Sequence, residues 1–187
     1  MQINVQDFLP LVEETGKIAF IDIEATGLRG DYNSILTVSV KPYGKKAYSF
    51  VVDRPGNDKS ILAAVREDLE SYLVWVTFYG KMFDIPMIQT RLINHSMTPL
   101  EGRHHLDLHF VAKSHLLTAR KSQAHLLAML GTPQQKMQVS PEMWNQVLAN
   151  PERALKTLVS RCESDVEGLE ALYNRIKHVV KDLKIDD

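Results

Sequence analysis

The sequence has little cysteine, no long apolar run and no excess of one charge sign. Each shortage excludes a class of protein. The single cysteine, Cys162, excludes an internal disulfide framework and any Cys-x-x-Cys zinc or redox site. Every apolar run falls short of the ~18–20 residues that a membrane-spanning helix needs. The opening stretch, MQINVQDFLPLVEE, has no basic segment leading into an apolar one. The expectation is therefore no secretory signal, no membrane association and a cytoplasmic location. Lys and Arg total 22 against 23 Asp and Glu, a net charge of −1. That is not the basic footprint of a protein that clamps long duplexes through many phosphates. It leaves room for a small site that holds a few nucleotides through metal ions and local contacts, with distributive action on long strands. No internal repeat is visible, and no linker rich in Gly, Pro or Ser divides the chain. What is present is ordinary globular composition, 44% hydrophobic and 24% charged over 187 residues. The expectation is one domain spanning residues 1–187, large enough to bury about 70% of its unfolded-chain surface.

Three β-rich runs come first: Lys17–Ile23, Ile35–Val40 and Ala47–Val52. Short connections make antiparallel neighbours of them. Helical spacing follows over Ser60–Tyr72, then a buried strand over Leu73–Phe78, helical spacing over Phe83–Ile93 and a strand over His105–Phe110. From about Ser122 the chain is helical in pieces. Ser140-Pro141 reads as one helix start, and Asn150-Pro151 opens a last helix that runs to about residue 183. The segment before Lys17 and the tail 181–187 carry no readable motif. This order predicts an α/β fold with a five-stranded mixed sheet and helices on both faces. Strands 1–3 are antiparallel, strands 4–5 are parallel, and the expected order is 3-2-1-4-5.

Several acids break the apolar pattern. Asp22 and Glu24 interrupt IAFIDIEATG and, being two apart, leave strand 1 on one face. Alone, a D-x-E is an ordinary polar strand end. Asp84 stands where strand 4 gives way to a helix. That position suits an N-cap, and it is also where open α/β sheets place ligands. At 100° per residue, Leu158 and Leu172 lie about 20° from Asp165, which places this acid inside the apolar stripe of the last helix. A carboxylate there needs a partner, and a salt bridge is the plain alternative to a ligand role. Glu163 and Glu167 fall off the stripe, on a solvated face. Alternation over His105–Phe110 puts Asp107 and His109 together, opposite Leu106 and Leu108, either in a supporting role or at a solvated edge. If Asp22, Glu24, Asp84 and Asp165 converge, they cannot all stay ionised without cations among them. Oxygen donors without thiolates favour Mg²⁺ or Mn²⁺, and a pair of ions about 3.5–4 Å apart suits in-line attack on a phosphodiester.

FIDIEATGL, YGKMFDIP and CESDVEGL resemble, in order, the three exonuclease motifs of the DEDD 3′–5′ exonuclease superfamily, on the ribonuclease H-like fold. HLDLHFVAK followed by RKSQAHLLAMLG is similar to its stand-alone predicted-exonuclease branch of bacteria, archaea and phages. The resemblance implies that Asp22, Glu24, Asp84 and Asp165 hold two divalent cations, Mg²⁺ or Mn²⁺. One ion would activate a water and the other would stabilise the leaving 3′ oxygen. It implies hydrolysis at the 3′ end of single-stranded DNA or RNA with release of nucleoside 5′-monophosphates, and a terminal-nucleotide pocket lined by Thr26, Gly27 and Leu28. An ordinary turn is the plain reading of Gly27-Leu28.

The motifs also depart from the family pattern. Four and five residues before the last Asp, where the two main branches carry Tyr or His, stand Arg161 and Ser160. Arg cannot act as a base. Arg161 is read as a phosphate contact or as a solvated helix residue. The remaining base candidates are His105, His109 and His115, or no side chain at all. The second motif carries Tyr79 where Asn is usual. Tyr79 and Phe83 could stack on bases, Phe83 being equally suited to the core. Arg120 and Lys121 could meet the substrate or simply be solvated. Two alternatives stay open: an inactive nucleic-acid-binding module of the same fold, and a structure-specific endonuclease of that fold.

Overall fold

The computed structural model describes residues 5–132, 147, 150–181 and 185–186. Helix α1 (Val5–Glu14) leads into strands β1 (Ile18–Ala25), β2 (Ile35–Pro42) and β3 (Tyr48–Val51). Then come α2 (Lys59–Glu70), β4 (Val74–Thr77), α3 (Asp84–Asn94), β5 (Arg103–Asp107), α4 (Leu108–His115) and α5 (Gln123–Met129). The long α6 (Pro151–Ile176) follows, and a two-residue β6 (Ile185–Asp186) closes the order. The sheet runs β3-β2-β1-β4-β5-β6. The first five strands thus take the order 3-2-1-4-5, with β1–β3 antiparallel and β1, β4 and β5 parallel. The sixth strand, antiparallel on the β5 edge, was not anticipated.

Alternation along β1 feeds two cores. Ala19, Ile21 and Ile23 join Leu62, Val65 and Leu69 of α2 and Ile88 and Leu92 of α3. Ile18 and Phe20 join Val74, Val76 and the apolar sides of α1, α4, α5 and the second half of α6. Helices therefore cover both faces, as a mixed sheet with βαβ crossovers requires. Phe20 packs edge-on against Tyr173 of α6, ring centres 5.6 Å apart. Such a pair adds about 0.5–1.5 kcal/mol beyond burial. Pro151 stands in the first turn of α6 and Asn150 Oδ1 accepts from the Arg153 amide, so the expected cap is present. Ser140-Pro141 lies outside the described residues. Among the described residues, no helix is long and apolar enough to cross a membrane.

Four local expectations need correction. Within the segment before Lys17, Val5–Glu14 form a helix whose Val5, Leu9 and Val12 are buried at helical spacing; Pro10 inside it masked the pattern. The strand predicted over His105–Phe110 is instead β5 ending at Asp107 and α4 starting at Leu108. The Asp107 carboxylate accepts from the His109 amide, which caps the helix and ends the alternation. The last helix stops at Ile176 and tightens into a 3₁₀ turn over Lys177–Val179, short of residue 183. Gln6 of α1 takes the Val180 carbonyl at 2.8 Å, and the β-branched pair Val179-Val180 is a weak helix former. Glu163 is not simply solvated: it is half-buried and accepts from Ser49 of β3 at 2.8 Å, whereas Glu167 is exposed.

Candidate active site at the carboxyl end of the central strand

β1 outruns its parallel neighbour. It pairs with β4 only over Ile18–Phe20, so the last half of β1 has no strand on that side. The Ile23 amide finds its acceptor in the Asp84 carboxylate, Oδ1 at 3.0 Å. Asp84 is thus the first residue of α3, bonded across to β1, and Phe83, which stands before it, makes no side-chain cap. Asp84 was expected as a possible N-cap; the orphan amide of β1 claims it instead. On the other side β2 continues beside β1, with Asp22 opposite Ser39 and Glu24 opposite Thr37. Asp22 and Glu24 share a face, and α6 lies across it.

Asp165 is 2% exposed on α6, within its apolar stripe. Carboxylate oxygens of Asp22, Glu24 and Asp165 lie within 4.8 Å of one another. Asp84 is 4% exposed, and its carboxyl is pushed well above the usual carboxylate range. Burial is the main cause, followed by the charge of Asp22; the Ile23 amide opposes both. The Cys162 thiol lies 3.3 Å from Asp22 Oδ2 and is pushed well up, first by burial and then by Asp22. It stays a thiol and offers no thiolate. The donor set is therefore hard oxygen, crowded and largely withdrawn from water. It fits a divalent cation of the oxygen-loving kind.

The four acids line one cleft of about 850 Å³. Thr26, Gly27 and Leu28 form one wall, and Tyr79 and Phe83 another. Leu28 is exposed, while Phe83 is half-buried against the core, so Phe83 serves packing and cleft together. A Cβ on Gly27 would lie 2.5 Å from Asn33 Oδ1, so the glycine makes room for the loop's own Asn33. Phe78, Met82 and Arg29 also line the cleft and were missed from sequence. Arg29 carried a signal, two residues beyond Gly27 in the same turn. Arg161 lies on the cleft, and the reading of it as a solvated helix residue is corrected. Its side chain is only 20% exposed, with Nη1 3.0 Å from Glu24 Oε1 and Nε 4.0 Å from Asp165 Oδ2.

Asp107 does not line the cleft but bonds to the backbone of Tyr79, which does. It is buried and accepts from the amides of Tyr79, Lys81 and His109 at 2.9, 3.0 and 2.9 Å. Tyr79 has a φ of 66°, a left-handed conformation that Asn tolerates better than Tyr. The bond to Asp107 and ring contacts with His109 and Phe110, at 5.0 and 6.1 Å, hold Tyr79 there. The three histidines lie elsewhere. His105 is buried against Thr77 at 2.8 Å, His109 sits among Phe78, Tyr79 and Phe110, and His115 is exposed on another depression. Among the described residues, the cleft lining includes no histidine. Arg120 and Lys121 do not line it either: Arg120 is exposed, and Lys121 Nζ is folded onto the Leu116 carbonyl at 2.6 Å.

The model of the RNase H superfamily matches residues 19–177 of this chain. The curated proteins contain no match to it. Among solved structures, the family B DNA polymerase of the hyperthermophilic archaeon Pyrobaculum calidifontis matches with a TM-score of 0.62 and 15% identity. That match covers 84% of this chain and 24% of the polymerase chain, so this chain spans about a quarter of the polymerase's length.

Proposed function

Because the chain belongs to the RNase H superfamily, we propose that it is a DEDD-type 3′–5′ exonuclease that acts on single-stranded DNA or RNA ends and releases nucleoside 5′-monophosphates. The observation that carries this reading is the convergence of Asp22, Glu24 and Asp165, with Asp84 beside them, in one cleft. These four residues would hold two divalent cations, Mg²⁺ or Mn²⁺. Such ions supply water activation and charge neutralisation at a phosphodiester. The chain's own groups do the rest. Asp84 is held by the Ile23 amide, so its carboxylate position is set by the sheet itself. Leu28, Tyr79 and Phe83 offer apolar and aromatic surface to an unpaired base, worth about 1–3 kcal/mol per stacked base. Thr26 and Gly27 shape the wall against which the terminal sugar would rest. Among the described residues the cleft lining includes no histidine, so none of His105, His109 and His115 stands in the wall where a water would be deprotonated.

The balanced charge supports weak hold on long strands and hence distributive action. The match to the polymerase supports the fold alone. A second reading, a binding module without turnover, draws on Arg161, which sits against two of the acids. The test is a gel time course with 5′-labelled linear single-stranded DNA and RNA in Mg²⁺, Mn²⁺ or EDTA, beside Asp22→Ala and a circular strand. The expected result is a metal-dependent ladder that shortens from the 3′ end, no cut in the circle and no ladder from the variant. Cutting of the circle would replace this reading with an endonuclease. Strand binding without any cleavage would replace it with the binding module.

A further inference from the structure

Arg161 leaves α6 one turn before Asp165 and reaches back to β1. Its Nη1 lies 3.0 Å from Glu24 Oε1 and 3.3 Å from Glu24 Oε2, while Nε lies 4.0 Å from Asp165 Oδ2. Two of the three clustered carboxylates therefore face one guanidinium. An arginine is not deprotonated in a protein, so this is a permanent positive charge inside an acid cluster. The other acids are engaged differently. Asp84 accepts from the Ile23 amide, and Asp22 lies against the Cys162 thiol. The Glu24 carboxylate is buried, and Arg161 contacts both of its oxygens.

We propose that Arg161 is a built-in competitor for divalent cations: the guanidinium and a metal ion claim the same Glu24 carboxylate, so the site loads only as the Arg161–Glu24 pair opens. This rests on the reading of the acid cluster as a metal centre. Arg161 is then a positioning residue. It keeps Glu24 and Asp165 gathered while the site holds no ion, at the expense of cation affinity. Two effects point the same way. The pair must be broken for Glu24 to turn to an ion, and a fixed positive charge a few ångströms away repels the incoming one.

The test is calorimetric titration of the full, chelator-stripped chain with MnCl₂, for the natural protein, Arg161→Gln, Arg161→Lys and Asp22→Asn, together with melting curves in EDTA and in Mn²⁺. Arg161→Gln should bind Mn²⁺ about tenfold tighter, equivalent to about 1.4 kcal/mol. Arg161→Lys, which keeps the charge, should stay within about twofold of the natural protein. In EDTA, Arg161→Gln should melt lower than the natural protein, and Mn²⁺ should raise its melting point by more. A purely structural Arg161 would lower melting in both media and leave Mn²⁺ affinity unchanged. Equal or weaker Mn²⁺ binding by Arg161→Gln, with binding lost in Asp22→Asn, would overturn this inference and leave the metal centre standing. Mn²⁺ binding absent from the natural protein, or undiminished in Asp22→Asn, would overturn the metal centre itself and this inference with it.

Discussion

Replacing Asp58 by Asn should destabilise the protein by about 3–5 kcal/mol at pH 7, the usual loss when one partner of a buried ion pair is removed. Asp58 is 0% exposed and ties three parts of the fold together. Its Oδ2 accepts from Arg91 Nε at 2.7 Å and the Ile35 amide at 3.0 Å. Its Oδ1 accepts from Arg91 Nη2 at 3.0 Å and faces His95 Nε2 at 2.8 Å. Arg91 Nη1 in turn reaches the Gly30 carbonyl at 2.9 Å, in the loop that follows the cleft wall. The last turn of α3, the helix that starts at Asp84, is thereby fixed to β2 and to the β1–β2 loop. An Asn amide places NH₂ where one oxygen accepted two donors, and it leaves the buried guanidinium without its counter-charge. For a chain this long the loss corresponds to roughly 6–20 °C in Tm.

The same substitution has a pH signature. Burial would raise the Asp58 carboxyl, but hydrogen bonds from Arg91, His95 and the Ile35 amide outweigh it and hold the group below its ordinary value. A depressed folded-state value contributes stability that is present above the unfolded value of about 3.9 and is lost as pH falls through the folded value. The gap between the natural protein and Asp58→Asn should therefore be full above about pH 5 and should narrow on acidification below about pH 4. Urea unfolding followed by far-ultraviolet circular dichroism across this range reads both quantities. A loss below about 1 kcal/mol at pH 7, or a gap that widens in acid, would refute the reasoning.

Three further outcomes are expected. Asp84→Asn should raise Tm in EDTA at neutral pH. The amide oxygen can still accept from Ile23, while the charge that burial and Asp22 disfavour is gone; a fall in Tm would contradict this. For a carboxyl with a raised folded value, the natural protein's penalty grows as pH rises above the unfolded value, so the gain should shrink toward acid pH. Asp107→Ala strips the acceptor from three amides and should cost about 2–4 kcal/mol in urea unfolding, with strand cleavage reduced because the Tyr79–Lys81 turn is released. Tyr79→Asn trades ring contacts for an easier left-handed backbone. It should leave stability within about 1 kcal/mol while raising KM for a single-stranded substrate by about tenfold, as loss of one stacked base predicts.

The succession of strands and helices and the placement of Asp165 within an apolar helix stripe were legible from residue pattern; the order 3-2-1-4-5 was the natural choice among the pairings that pattern allows, and the three motifs were legible by resemblance. Period-2 and period-3.6 hydrophobicity is a local property, and the short connections between strands limit the topologies that can follow. The pairing of Asp22 with Glu24 on one face also needed only alternation along β1. Contacts between distant segments were not legible. Asp84 became a partner of Ile23 because β4 ends before β1 does, which depends on strand register. Asp107 ends β5 and caps α4 instead of standing mid-strand, and three amides from two segments meet at its carboxylate. Asp58 stands just before α2, Arg91 in the last turn of α3 and His95 just after it; they carry no shared motif, and only folding reveals them as one network. Arg161 shows the division most directly. Its position on the helix, four residues before Asp165, follows from sequence. Its engagement with Glu24 from β1, 137 residues away in the chain, follows only from how α6 crosses the sheet. Local periodicity chooses elements and faces, while long-range packing decides which charges must share a buried space.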